Sequence, residues 1–243
     1  MNVTSRFDVT GHGVVVTGGA SGLGLAYGEV LAAHGARVTL IDVDEAGLAR
    51  EAARLEGEGL DVRGAIADVT DHAALDSAVD EAAAIYGRLD VAFANAGIDS
   101  GAGFVAGWAG SERPRVEEGA IERYTDERWN RVIDVNLNGI FATARAAARH
   151  MRPRGYGRIV VTTSLAATKV EPVIGSAYMA SKAGARHLVR CLRSSSPRKG
   201  SPRTRSPPAS SSPTSAAAMH TTRNCRRWSR RTSRCTAWGG PTT

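Results

Sequence analysis

An α/β domain built on a doubly wound parallel sheet is what the sequence predicts, and three observations carry the prediction. Short β-rich apolar runs alternate with Ala-rich stretches, the links between runs are long, and core-forming residues continue almost to residue 193. Parallel neighbours need crossovers of a dozen or more residues, because the chain must return to the other end of the sheet before it can pair again. A chain of 243 residues, 42% of them hydrophobic, suffices for a single domain with a sizeable core.

In chain order, GVVVT (13–17), RVTLI (37–41), VRGAI (62–66), LDVAF (89–93) and GRIVVTT (157–163) read as strands. Between them, 21–34, 45–57, 72–86 and 126–151 read as helices, and a last helix covers 176–193. The link from Ile98 to Thr125 far exceeds the roughly 2–6 residues usual between strand and helix. It leaves the carboxyl end of the fourth strand, and reads equally as part of a substrate mouth or as a solvated excursion. In such sheets ligands sit beyond the carboxyl ends of the strands, where strand order reverses.

Charge divides the chain. Residues 1–193 carry a net −3, whereas 194–243 carry +10 with no acidic residue. No Leu, Ile, Val or Phe follows Leu192, so the segment opening SSSPRKGSPRTRSPPAS lacks the periodic apolar face a packed element needs. The expected organisation is a catalytic domain over 1–193 and an atypical basic Ser/Pro/Arg-rich segment over 194–243.

Cys191, Cys225 and Cys235 give no disulfide framework, and with His220 they lack the paired spacing of a zinc site, so no metal is expected. MNVTSRFDVTGHG has no apolar leader core and no stretch approaches a membrane span. The expectation is a cytoplasmic protein without a membrane partner.

At the turn from first strand to first helix, VVVTGGASGLG sets Gly18, Gly22 and Gly24. Gly18 permits the tight turn, Gly22 lets a pyrophosphate approach the backbone, and Gly24 allows close helix–strand packing. Asp42 ends the second strand, 18 residues beyond Gly24. A carboxylate there accepts from both adenosine ribose hydroxyls and repels a 2′-phosphate, and the glycine loop has no Arg or Lys to offset that repulsion. The cofactor indicated is NAD; the alternative for Asp42 is a helix cap before VDEAGLAR.

SAYMASKAG places Tyr178 and Lys182 four residues apart, on one helix face. A free phenol, with pKa ~10, is a poor base at neutral pH, but an adjacent ammonium stabilises the phenolate. Ser164 closes the fifth strand at the same edge, where its hydroxyl can orient a substrate oxygen. Singly, each of these residues is an ordinary surface or turn residue.

Together they resemble the short-chain dehydrogenase/reductase family over about residues 10–193. The motifs occur in family order: TGGASGLG as the TGxxxGxG loop, Asp68–Val69, NAG at Asn95, Ala96 and Gly97, Asn136 in DVNLNGIF, Ser164, then YMASK. The resemblance implies a Rossmann-type domain whose glycine loop, including Ser21 and Leu23, binds NAD. It implies Asp68 on the adenine amino group, Val69 contacting through its backbone, and NAG lining the cofactor cleft. Tyr178 is then general acid/base, Ser164 binds the substrate oxygen, Lys182 serves Tyr178 and the nicotinamide ribose, and Asn136 anchors a relay water. The implied reaction interconverts a secondary alcohol and a ketone by hydride transfer.

The same resemblance implies a homo-oligomer, dimer or tetramer, through the helices at 126–151 and 176–193. It also sharpens what the basic segment displaces: the family's sixth and seventh strands are not readable after Arg193. A reading frame displaced near Cys191–Ser196 explains this, as does a genuine basic extension with clusters such as NCRRWSRRTSR. Nucleic-acid binding ranks lowest, because only Trp228 and Trp238 offer stacking surfaces there. The competing functional expectation is a catalytically impaired NAD-binding module.

Overall fold

The computed structural model describes residues 8–107 and 114–195. In chain order it contains β1 (Gly13–Thr17), α1 (Gly22–Ala33), β2 (Arg37–Asp42), α2 (Glu45–Gly57), β3 (Val62–Ile66), α3 (His72–Tyr86), β4 (Val91–Ala94), α4 (Asp126–Ile133), α5 (Gly139–Arg154), β5 (Arg158–Val161) and α6 (Ser176–Ser195). The strands form one parallel sheet in the order β3-β2-β1-β4-β5. Strand order therefore reverses between β1 and β4, and the predicted doubly wound sheet is present.

β1 is the axis of the core. Its side chains alternate between faces, so Val14 and Val16 pack with Val38, Leu40, Leu48 and Leu55 on one side. Val15 joins Leu75, Val79, Ala92, Ala142 and Ala146 on the other. Val14, Val15 and Val16 have no exposed surface, each stabilising the fold by about 1.5–3 kcal/mol relative to an exposed side chain. A cavity-forming change such as Leu40→Ala costs about 2–5 kcal/mol.

At the amino edge, Asp90 is wholly buried just before β4. It accepts from the Gly13 N–H (3.0 Å), from the Arg88 guanidinium and from Arg154 Nη2 (3.2 Å). Burial works to raise its pKa, but the Arg88 and Gly13 hydrogen bonds outweigh it and hold the carboxyl below its ordinary value. This one side chain ties the start of β1 to the last turn of α5.

Three expectations are corrected. The region 126–151 is two helices separated by a π-helical turn over Asp134–Asn138. β5 ends at Val161, so Ser164 lies beyond the strand and begins a 3-10 turn. β4 runs from Val91 to Ala94, two residues later at its start and one later at its end than the apolar run suggested. The basic segment, apart from the end of α6, lies outside the described residues, as do its cysteines and tryptophans. Among the described residues no helix is long and apolar enough to cross a membrane.

Candidate active site

A cleft of about 960 Å³ opens at the carboxyl edge of the sheet, the position that the strand reversal dictates. Of the predicted residues, Gly18, Ser21, Leu23, Asp42, Asp68, Val69, Asn95, Ala96, Gly97, Tyr178 and Lys182 line it. Gly22, Gly24, Asn136 and Ser164 lie outside its lining.

The turn into α1 is shaped for an anion. Gly18 has φ +68°, which a β-carbon would strain. At Gly24 an added β-carbon would overlap the Gly18 carbonyl and approach Asn95 Nδ2 to 2.7 Å, so α1 sits tight against β1 and β4. Ser21 precedes the helix without a side-chain cap, and the first turn holds no acidic residue. By contrast α2, α3 and α4 are capped by Asp44, Asp71 and Thr125. The unpaired N–H groups and positive dipole of α1 therefore face the cleft without an internal anion, which fits a dinucleotide pyrophosphate.

Asp42 is half-buried and binds the same loop: its Oδ2 accepts from Ala20 N at 3.0 Å, and its Oδ1 from Val43 N at 2.8 Å and Asp44 N at 3.2 Å. The cap of α2 belongs to Asp44, which accepts from Gly47 N, so the capping alternative for Asp42 is removed. Asp68 is exposed and accepts from Thr70 N at 2.8 Å. Beside it Val69 is buried, against the position where a side chain at Gly139 would stand.

Asn95 is a strut. Its Nδ2 donates to the Thr17 and Gly18 carbonyls (3.2 and 3.3 Å), and its Oδ1 accepts from Thr162 Oγ1 at 2.8 Å. The ends of β1, β4 and β5 are thereby held together. Thr17, unassigned by sequence, completes the knot, with its Oγ1 accepting from Asn95 N and Ala96 N. Asn136, in the π-helical turn, is fully buried: its Oδ1 accepts from Ile98 N at 2.7 Å, and its Nδ2 donates to Ile98 O at 2.9 Å.

Tyr178 and Lys182 project from the first turns of α6. Lys182 is 3% exposed, its Nζ donates to Thr162 O at 3.0 Å, and it lies 5.6 Å from the centre of the Tyr178 ring. Burial pushes the Lys182 ammonium pKa down. Among the described residues the Tyr178 hydroxyl has no hydrogen-bond partner, which leaves it open toward the cleft that Tyr178 lines. Ser164 Oγ accepts from Ala166 N at 3.2 Å. Thr162 was a missed contributor; its signal was its place at the end of the fifth apolar run.

The sequence matches the short chain dehydrogenase family over residues 12–200. It is 34% identical over 190 residues to the 2-dehydro-3-deoxy-L-rhamnonate dehydrogenase (NAD(+)) of Sphingomonas sp., a match covering 78% of this chain and 68% of that protein. Among solved structures, a short chain dehydrogenase/reductase from Burkholderia phymatum in complex with NAD superposes with a TM-score of 0.67 at 32% identity, over 76% of this chain and 60% of that one. A gluconate 5-dehydrogenase from Burkholderia cenocepacia in complex with NADP and tartrate gives 0.66 at 31% identity, over 78% and 67%. None of these descriptions favours a silent cofactor-binding module. Its motifs, its parallel sheet and these likenesses agree: the chain belongs to the short-chain dehydrogenase family, as an alcohol/ketone oxidoreductase that works with a nicotinamide cofactor.

Proposed function

We propose that the protein is an NAD-dependent oxidoreductase that interconverts a small secondary alcohol and its ketone, with Tyr178 as general acid/base. The observation that carries this reading is the placement of Lys182, held by Thr162 O beside the Tyr178 ring at the floor of the cleft. A buried ammonium favours the phenolate over the phenol electrostatically, and so lets Tyr178 take a proton from an alcohol or return it to a developing alkoxide. When bound, the nicotinamide would supply the redox chemistry by exchanging hydride with the substrate carbon.

The protein's own work is binding and proton movement. The α1 N-terminus holds the pyrophosphate, and Asp42, with lone pairs left after its three backbone bonds, accepts from the adenosine ribose hydroxyls. A 2′-phosphate would meet that carboxylate with no basic residue in the glycine loop, which supports NAD over NADP. Asp68 and Val69 would take the adenine edge, and Asn95, Ala96 and Gly97, which line the cleft, would face the cofactor. Ser164 orients the substrate oxygen. Asn136 keeps the Ile98 backbone in place and would anchor the water of the proton relay.

In this reading the protein is a cytoplasmic homo-oligomer. Phe141 on α5 and Val189 on α6, 46% and 38% exposed, support pairing through those helices. The test is Tyr178→Phe: turnover of secondary alcohols should fall by about 10²–10⁴-fold while NAD still quenches protein fluorescence with unchanged affinity. Turnover equal to that of the unaltered protein would overturn the assignment.

A further inference from the structure

The insertion after β4 is fastened to the approach to α6. Ala102 bridges Ile174 in antiparallel fashion, Gly103 N donates to Val173 O at 3.2 Å, and Val105 N donates to Pro172 O at 3.1 Å. Ile174 lines the cleft four residues before Tyr178. Whatever fixes the insertion therefore fixes the cleft wall next to the hydroxyl assigned to proton transfer.

Arg128, on α4, is the fastener. Nε donates to Ser100 O at 2.8 Å, Nη2 to Ala102 O at 2.9 Å, and Nη1 to Glu118 O. Its guanidinium also lies over the Tyr124 ring, 4.2 Å from the ring centre. Among the described residues it has no carboxylate partner, so the planar fork is spent wholly on backbone carbonyls from both limbs of the insertion. A lysine, with a single tetrahedral nitrogen, cannot reproduce three divergent donors and a stacking face.

The seam behind it is unusually tight. Among the described residues the buried Ser100 Oγ and Tyr124 OH have no hydrogen-bond partners, and both press on Gly175: a β-carbon there would overlap each of them. Two orphaned hydroxyls weigh against the fold. They are retained where the insertion meets the residue whose carbonyl accepts from Tyr178 N at 3.1 Å.

We infer that Arg128 is a positioning residue for substrate: by gripping Ser100, Ala102 and Glu118 it holds the insertion against Val173–Ile174 and sets the apolar wall beside Tyr178. This rests on the reading of the cleft as an alcohol/ketone site. The cofactor half does not depend on it, since no residue that Arg128 touches belongs to the glycine loop or to Asp42.

The test compares full-length Arg128→Ala and Arg128→Lys with the unaltered chain. KM for a secondary alcohol should rise about tenfold or more with kcat within about threefold, and NAD affinity should not change. Arg128→Lys, which keeps stem and charge and guards against loss of fold, should fall between. Hydrogen exchange should quicken at 100–105 and also at 172–176, but not at 17–24. Unchanged KM, a parallel loss of NAD affinity, or quickened exchange confined to 114–124 would overturn the inference. Absence of turnover of any secondary alcohol or ketone by the unaltered chain would instead break the functional reading, and exchange at 172–176 would still decide the fastening.

Discussion

The two edges of the sheet use the same residue type for opposite ends. At the amino edge Asp90 is wholly enclosed, its oxygens taken by Arg88, Arg154 and the Gly13 N–H. At the carboxyl edge, among the described residues, Asp42 and Asp68 meet only backbone N–H groups of their own turns and the glycine loop, and both line the open cleft. A carboxylate whose partners are all internal contributes to folding; one with acceptor capacity facing a cleft is available to a ligand. The difference lies in what surrounds each side chain, and the residue type alone does not reveal it.

The sharpest way to break this contrast is to neutralise Asp90. Asp90→Asn removes the buried carboxylate that Arg88, Arg154 and the Gly13 N–H share and should cost about 2–3 kcal/mol in urea unfolding. Binding of NAD at temperatures where the variant remains folded should be unaffected. Because the folded pKa of Asp90 lies below its unfolded value, the folded state releases this proton more readily. Its stabilisation is complete above the ordinary carboxylate range, near pH ~4, and is lost as pH falls through the folded value. The acid limb of the unfolding midpoint should therefore be shallower in the variant than in the unaltered protein. An equally steep limb would show that other carboxylates govern it.

Smaller effects should come from the opposite edge. Gly24→Ala forces α1 away from the Gly18 carbonyl, costing about 1–3 kcal/mol of stability, and should abolish NAD binding measured by calorimetry. A variant that binds normally would remove the need for close packing at that turn. Asp42→Ala gives up three backbone hydrogen bonds, costing about 1–2 kcal/mol of stability, and should shift the NAD-to-NADP affinity ratio by about tenfold toward NADP, ~1.4 kcal/mol. An unchanged ratio would transfer cofactor choice to another residue.

Legibility in the sequence followed the range of the interactions. β1, α2, β3 and α3 were readable to the residue, because hydrophobic periodicity and local caps such as Asp71 define them within a few positions. The glycine loop and the Tyr178–Lys182 pair were readable for the same reason. What Asn95 does was not, since its partners Gly18 and Thr162 lie 77 and 67 residues away. Nor was the packing of Asn136 legible, because Ile98, its partner in both directions, is 38 positions earlier. The insertion could be read only as long: its bonds to Arg128 and to Pro172 and Val173 are tertiary, with no local pattern to announce them.

The π-helical turn between α4 and α5 has an evolutionary consequence. It fits one residue more than an α turn into what would otherwise be one continuous helix, and so absorbs that residue while α4 and α5 keep nearly the same phase. Deleting a single residue within Asp134–Asn138 would let the backbone close into regular α-helix, a local gain. It would leave α4 and α5 in nearly their present phase, so Arg128 would stay on the insertion carbonyls and the loss would fall on the bulge itself, where Asn136 holds Ile98. A one-codon deletion here would thus make a more regular helix and a worse enzyme.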